Sequence, residues 1–447
     1  MHRHPWNNNS DEVFSLSPIK TRKALRQRLG GIHVDKCIFW HMAGEKYVGK
    51  MVYSCGFNGF GQLPLVSLEM QKKRVVTFPQ LCTHRPCHEI LAGTLALGWS
   101  SCFLCKDKEI EIHGFFSEQT TREHKLPCIC DVQSVHAFQG SVLALPSSCG
   151  ALLMLMENMQ LKEVKAEVKG HDDSKIMSLD STDDTVYIVT ENHHLVSLEQ
   201  NTTDFIFQEI FSDQPVEVIS CGKEHVMVLT IAGSVFSFGS GSRGQLGHGI
   251  VQDKVEKPLE IEALSALQIT GISCGGWHSA AVSEHGDLYI WGWNESGQLG
   301  FLMKSSKIDD FRPKNSTSKE SSSITPVDDA IHQPSTANKD QEWHGSRKAS
   351  TEDNSPVTFL MSPQILDMCP PEEILIKKVS CGSRHTAAIT QEGHLYTWGF
   401  GRWGQLGHGN EWTLDTPTRA ESLGLGVKFI DVYCKEWNTF MLVEEPT

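Results

Sequence analysis

Residues 273–300 read SCGGWHSAAVSEHGDLYIWGWNESGQLG, and residues 380–407 read SCGSRHTAAITQEGHLYTWGFGRWGQLG. Two stretches so alike in one chain mark a structural repeat, and a repeat constrains the fold more than any single motif. Aligned on the Cys-Gly step, the anchors are Cys221, Cys274, Cys381 and Cys434, at steps of 53, 107 and 53 residues. The middle step is twice the period, yet the stretch that fills it, 301–356, holds no copy of the motif and is rich in Ser, Thr, Asn, Lys and Asp. Such a composition cannot bury enough apolar surface to offset chain entropy, which predicts a disordered insertion rather than a missing repeat.

Each copy has the same grammar. Two β-prone runs, around Ala280–Val282 and Leu288–Trp291, flank SEHG, with Gly286 where a tight hairpin needs positive φ. Gly393 and Gly233 fill the same place in the other copies, and a Gly-Gln-Leu-Gly loop follows each hairpin, at 244–247, 297–300 and 404–407. The glycines permit a sharp connection and the Leu between them can plug the core. Fainter copies begin after Leu97, Phe138 and Ser181, about 40–43 residues apart, without the Gly-Gln-Leu-Gly loop. Seven anchors result. The last unit stops after its first half, VYCKEWNTFMLVE, while MVYSCGFNGFGQL at 51–63 is a second half with nothing before it. Pairing these halves leaves no open sheet edge. The expectation is an all-β, seven-bladed β-propeller closed by its N- and C-terminal strands, with a first part at 51–300 and a last part at 357–447.

Bulk properties narrow the function. The 447 residues carry 40 Lys+Arg against 54 Asp+Glu, a formal charge of −14, which argues against a surface that coats nucleic acid. The N-terminus MHRHPWNNNSDEVF has no apolar signal region, so the 14 cysteines are expected as reduced thiols of an intracellular protein. The uncharged run from Val132 to Met156 reads as two strands around the turn PSSCG, not as a membrane span. Residues 1–50 are expected to be a disordered extension; KTRKALRQRLGG at 20–31 is either a nuclear-import or phosphate-binding arm or a solvated tail.

Cys-Gly-x-x-His, the hairpin glycine, Trp-Gly and Gly-Gln-Leu-Gly together resemble the regulator of chromosome condensation repeat family, clearly over 219–300 and 379–444 and faintly over 51–218. Within it, GGWHSAAVSEHGDLYIWGWNESGQL, CGSRHTAAITQEGHLYTWG and EWNTF resemble a branch of small single-propeller members. That resemblance implies a non-enzymatic scaffold, nuclear and chromosome-associated with a cytoplasmic pool left open. It further implies docking to a jumonji-type histone lysine demethylase, with roles in histone methylation control and chromosome segregation. The founding member of the family is a guanine nucleotide exchange factor for the small GTPase Ran, acting through acidic and histidine side chains on a rim. Exchange on a Ran-like GTPase is therefore the alternative, with Glu224 as the matching acid, although Trp277 and Arg384 depart from that pattern.

Repeat symmetry locates a candidate face. The residue before each His position, Glu224, Trp277, Arg384 and Trp437, must recur on one rim, and Trp and Arg are types enriched at interface hot spots. The repeated residues Cys221, Gly222, His225, Cys274, Gly275, His278, Trp291, Cys381, Gly382, His385 and Trp398 read instead as structural, since polar groups present in every copy usually satisfy buried backbone. Cys102-x-x-Cys105 with Cys128-x-Cys130 is a poor zinc pattern, because the second pair lacks the two-residue spacing. His193-His194 reads as a solvated hairpin turn, and no catalytic constellation, metal site or cofactor loop is expected.

Overall fold

The period-two alternation of each repeat becomes four antiparallel strands. The computed structural model describes residues 50–82, 95–106, 109–115, 123–127, 132–138, 141–146, 152–155, 161–164, 167–168, 176–200, 205–303, 356–368, 374–424 and 427–444, apart from Gly61 and Trp99. The basic run at 20–31, nearly all of the 301–356 insertion, and Cys128 and Cys130 lie outside the described residues. Those described fall in one compact unit, Val48–Pro446.

Six sheets are each built from strands consecutive in the chain. The first holds Leu95–Leu97, Ser101–Lys106, Glu109–Gly114 and Glu123–Pro127. The second holds Val132–Phe138, Ser141–Pro146, Leu152–Leu155 and Leu161–Val164. In the third are Ile176–Ser181, Val186–Thr190, Leu195–Gln200 and Phe205–Phe211, with Glu167–Val168 added parallel to the last. The fourth comprises Val216–Cys221, His225–Thr230, Val235–Gly241 and Gln252–Glu260. The fifth comprises Ile269–Cys274, His278–Ser283, Leu288–Trp293 and Phe359–Ile365, and the sixth Ile376–Cys381, His385–Thr390, Leu395–Gly399 and Leu414–Arg419. Beside these, as the two half-units led us to expect, a composite sheet joins Lys428–Lys435 and Asn438–Glu444 from one end to Lys50–Phe57 and Val75–Leu81 from the other. The two ends pair antiparallel from Lys50↔Glu444 to Gly56↔Asn438, so the edge left by the chain's last strand is covered. The architecture is an all-β propeller.

Alternation explains how the sheets stack. Ala280, Val282, Leu288 and Ile290 of the fifth sheet pack on Ile376, Val379, Ala388 and Trp398 of the sixth. Their in-between neighbours Ala281 and Trp291 point the other way, onto Met227, Leu229 and Val235 of the fourth. A sheet buried on both faces needs apolar residues at both parities, which is why His278–Ser283 and His385–Thr390 are buried along their whole length. Each fully buried Val, Leu or Ile contributes about 1.5–3 kcal/mol. Leu246, Leu299 and Leu406 of the Gly-Gln-Leu-Gly loops are 2% exposed or less and fill the seams between sheets.

Four expectations change in detail. The insertion does not separate two sheets; it interrupts the fifth, whose outer strand Phe359–Ile365 returns to pair with Leu288–Trp293. Its flanks are held together, the Val357 N–H donating to the Leu302 carbonyl at 2.9 Å, so the length between them costs little. The closing half-unit runs past 51–63 to a strand at Val75–Leu81. Val132 to Met156 contains three strands rather than two, Val132–Phe138, Ser141–Pro146 and Leu152–Leu155, the first two paired antiparallel up to Phe138↔Ser141. His193 and His194 are half-buried, not simply solvated: His193 Nδ1 lies 2.9 Å from the Val216 carbonyl of the next sheet and His194 Nδ1 3.2 Å from Glu209. Among the described residues, no helix is long and apolar enough to cross a membrane.

Candidate protein-docking rim

Within a four-stranded antiparallel sheet, the turn from first to second strand and the turn from third to fourth lie at the same end. The Cys-Gly-x-x-His turns and the Gly-Gln-Leu-Gly loops therefore share one face. What they hold divides into an invariant frame and a variable rim.

The frame ties sheet to sheet. His225, His278 and His385 each place Nε2 2.9 Å from a hydroxyl of the following sheet, on Ser279, Thr386 and Thr439. Those hydroxyls donate to the carbonyls of Gln245, Gln298 and Gln405 at 2.8, 2.8 and 2.7 Å, so each must accept its second bond from an imidazole N–H. The histidines are thus neutral Nε2–H tautomers, and burial pushes all three down to about 3. Trp291 and Trp398 donate to the same Gln245 and Gln298 carbonyls at 2.9 and 3.0 Å. One residue before each Cys, Ser220, Ser273 and Ser380 accept the backbone N–H of Cys274, Cys381 and Cys434. Asp180 takes that place in the third sheet, accepting from Cys221 at 2.7 Å. Gly222, Gly275 and Gly382 sit against the imidazoles, where an added Cβ would fall 2.1–2.3 Å from a ring carbon. Cys221, Cys274, Cys381 and Cys434 are buried free thiols, and burial lifts Cys274 and Cys434 to about 12. Cys102 is likewise buried and free, and among the described residues no group of three or more His, Cys, Asp or Glu is placed to hold a metal.

The variable rim is built on this frame. In each clear sheet the residue before the His position is bonded, main chain to main chain, to the residue that follows the third-strand glycine: Glu224 to Ser240, Trp277 to Trp293, Arg384 to Phe400, Trp437 to Phe57. Successive pairs then touch across the seams. Trp277 Nε1 lies 3.4 Å from Glu224 Oε2; Arg384 stacks 4.8 Å over the Trp293 ring and bonds Glu295 at 3.1 Å; Trp437 packs on Phe400 with centroids 5.4 Å apart. A third variable position, just before Gly-Gln-Leu, adds Arg243, Trp403 and Phe60. Trp403 meets Phe57 at 5.1 Å and Phe57 meets Phe60 at 5.9 Å, leaving Trp403 37% and Phe60 42% exposed. All four expected rim residues are thus brought onto one continuous ladder spanning four sheets. Trp293, Phe400, Phe57, Arg243, Trp403 and Phe60 escaped the sequence reading. Their signal was available: they vary from copy to copy while the residues beside them do not.

Inside the rim, on the same face, the ends of the first strands line a central cavity of about 450 Å³. Its charges are internally matched. Lys223 lies 3.6 Å from Asp183 and 3.4 Å from Glu436, which also accepts from Ser383, and Lys435 lies 3.5 Å from Asp180. These contacts bridge the composite sheet to the third and fourth across the axis.

The fold defines a class, a β-propeller whose constant residues join neighbouring sheets and whose variable residues line one rim. The comparisons agree. The Regulator of chromosome condensation (RCC1) repeat model matches residues 232–282 and 392–442, and a second model of that repeat matches 216–245, 269–298 and 376–405. The chain carries RCC1 repeats. It is similar to human RCC1 domain-containing protein 1, 38% identical over 233 residues, 51% of this chain and 56% of that protein. It is similar also to the Ultraviolet-B receptor UVR8 of Arabidopsis thaliana, 34% identical over 225 residues, 49% of each. The chain spans about half the length of the curated relatives named here. Among solved structures, Prp20p of Saccharomyces cerevisiae superposes with a TM-score of 0.66 at 17% identity, covering 93% of this chain and 96% of that one, a likeness of fold.

Proposed function

We propose that this chain is a docking scaffold: a seven-bladed ring, closed by its own two ends, whose rim seats a protein partner and which acts by binding rather than by catalysis. The observation that carries this is the ladder from Glu224 to Phe60, where Trp, Arg and Phe side chains occupy variable positions on a rigid frame at the surface. Aromatic and Arg side chains, held in place before binding, supply interface energy with little ordering cost. The family resemblance supplies the partner class, a jumonji-type histone lysine demethylase, and with it a nuclear, chromosome-associated place in histone methylation control and chromosome segregation.

The test is affinity capture from nuclear extract with the intact chain and with a Trp277→Ala/Arg384→Ala/Trp437→Ala variant, checked for an unchanged melting profile. Recovery of the demethylase by the intact chain and its loss on the variant supports the scaffold and its face. Equal recovery by both removes the rim from the interface. A small GTPase held only in its nucleotide-free state replaces the scaffold reading with the exchange-factor one.

A further inference from the structure

We infer that Arg243, held in the corner between Trp277 and Trp293, is a receptor for a single carboxylate presented by an apolar-flanked acidic residue of the partner protein; the inference rests on the rim being the docking face. Arg243 stands immediately before Gly-Gln-Leu, and its backbone N–H donates to Gln245 Oε1 at 2.8 Å, which fixes the turn and the direction of the side chain. The guanidinium carbon then lies 4.8 Å from the Trp277 ring centre and 5.0 Å from that of Trp293, two rings set at 89° to each other. Cation–π attraction orients the cation but does not engage its N–H groups, which lie in the guanidinium plane and stay open to water.

Comparison with Arg384 shows what is missing. Arg384 stacks on the same Trp293, at 4.8 Å, but gives an Nη1 N–H to Glu295 at 3.1 Å. For half-buried Arg243 no such acceptor occurs among the described residues. A planar fork of donors held rigid, partly withdrawn from water and without an acceptor is matched by a carboxylate, which takes two parallel N–H bonds. The surroundings select among anions. Glu224 lies against Trp277 and Glu295 against Arg384, on a chain of net charge −14, so a polyanionic backbone is repelled where one carboxylate fits between. Apolar neighbours of that carboxylate then meet half-buried Phe400 and the exposed rings of Trp403 and Phe60 in the sheets beyond.

The test pans a random peptide display library against the intact chain and against Arg243→Gln and Arg243→Lys variants of unchanged melting profile. The expected winners carry one Asp or Glu between apolar residues. Changing that residue to its amide should weaken binding to the intact chain about tenfold and leave binding to Arg243→Gln unchanged. Arg243→Lys, which keeps the charge but loses the fork, should fall between. Winners without an acidic residue, an amide change felt equally by Arg243→Gln, competition by short oligothymidylate, or no peptide that distinguishes the variants would each overturn the carboxylate site. If demethylase capture is lost on the triple rim variant but kept on Arg243→Gln, this inference fails while the docking face stands.

Discussion

Acidification should loosen the ring at its histidine ties. His225, His278 and His385 are neutral and buried, each bonded to a hydroxyl of the next sheet, and burial lowers each to about 3 against about 6.5 for a free imidazole. Between those values the unfolded chain binds protons that the folded chain refuses, so the stability they confer is complete above about pH 6.5. It is lost progressively as pH falls toward the folded values. At about pH 5.5 each tie forfeits about 1.4 kcal/mol, and three together about 4 kcal/mol, a large share of the 5–15 kcal/mol by which domains are typically stable. Urea unfolding followed by tryptophan emission at about pH 7.5 and 5.5 measures the difference. His278→Gln should lower stability at neutral pH yet flatten the pH dependence by about a quarter, since His136, lowered by burial to about 4 and 2.9 Å from the Ser181 hydroxyl, titrates alongside the three ties. A midpoint that does not move between the two pH values, or a His278→Gln variant that keeps the full slope, would refute the assignment of these histidines as neutral ties.

Two further outcomes follow from the frame. Gly292 has φ +100° and an added Cβ would lie 2.7 Å from the His278 Cα, so Gly292→Ala should cost at least about 3 kcal/mol in thermal unfolding, whereas Gly271→Ala, with open space around it, should stay within about 1 kcal/mol of the parent. Trp291→Phe keeps one aromatic ring but removes the donor to the Gln245 carbonyl, which still accepts from Ser279, and leaves the space of the second ring empty in a fully buried site. A loss of about 2–4 kcal/mol is expected, hydrogen bond and cavity together, read from the same unfolding curves.

Much of this architecture was legible because its signals are local and repeated. Gly286, Gly233 and Gly393 marked hairpins from composition alone, and they adopt φ of 90°, 81° and 86°. The anchors at Leu97, Phe138, Ser181, Cys221, Cys274 and Cys381 mark ends of first strands. Closure, too, could be read, since a half-unit at each end leaves unpaired edges that only the other half can satisfy. The break between Val132–Phe138 and Ser141–Pro146 went unseen because both flanks are apolar, as did the far strand Val75–Leu81, which has no fixed distance from its partner.

What neighbours do to one another lay beyond any such reading. No spacing rule joins Trp293 to Arg384, 91 positions later, or Arg243 to Trp277; those contacts arise because successive sheets stack at a seam and because a variable insertion separates residues that the ring places side by side. Period-two alternation names which residues face a neighbouring sheet but not which atoms they meet. The neutral state of the histidines, the pairing of Arg384 with Glu295 and the lack of an acceptor at Arg243 depend on distances of a few ångströms between segments that are remote in the chain, and electrostatics and hydrogen bonding act only over such distances.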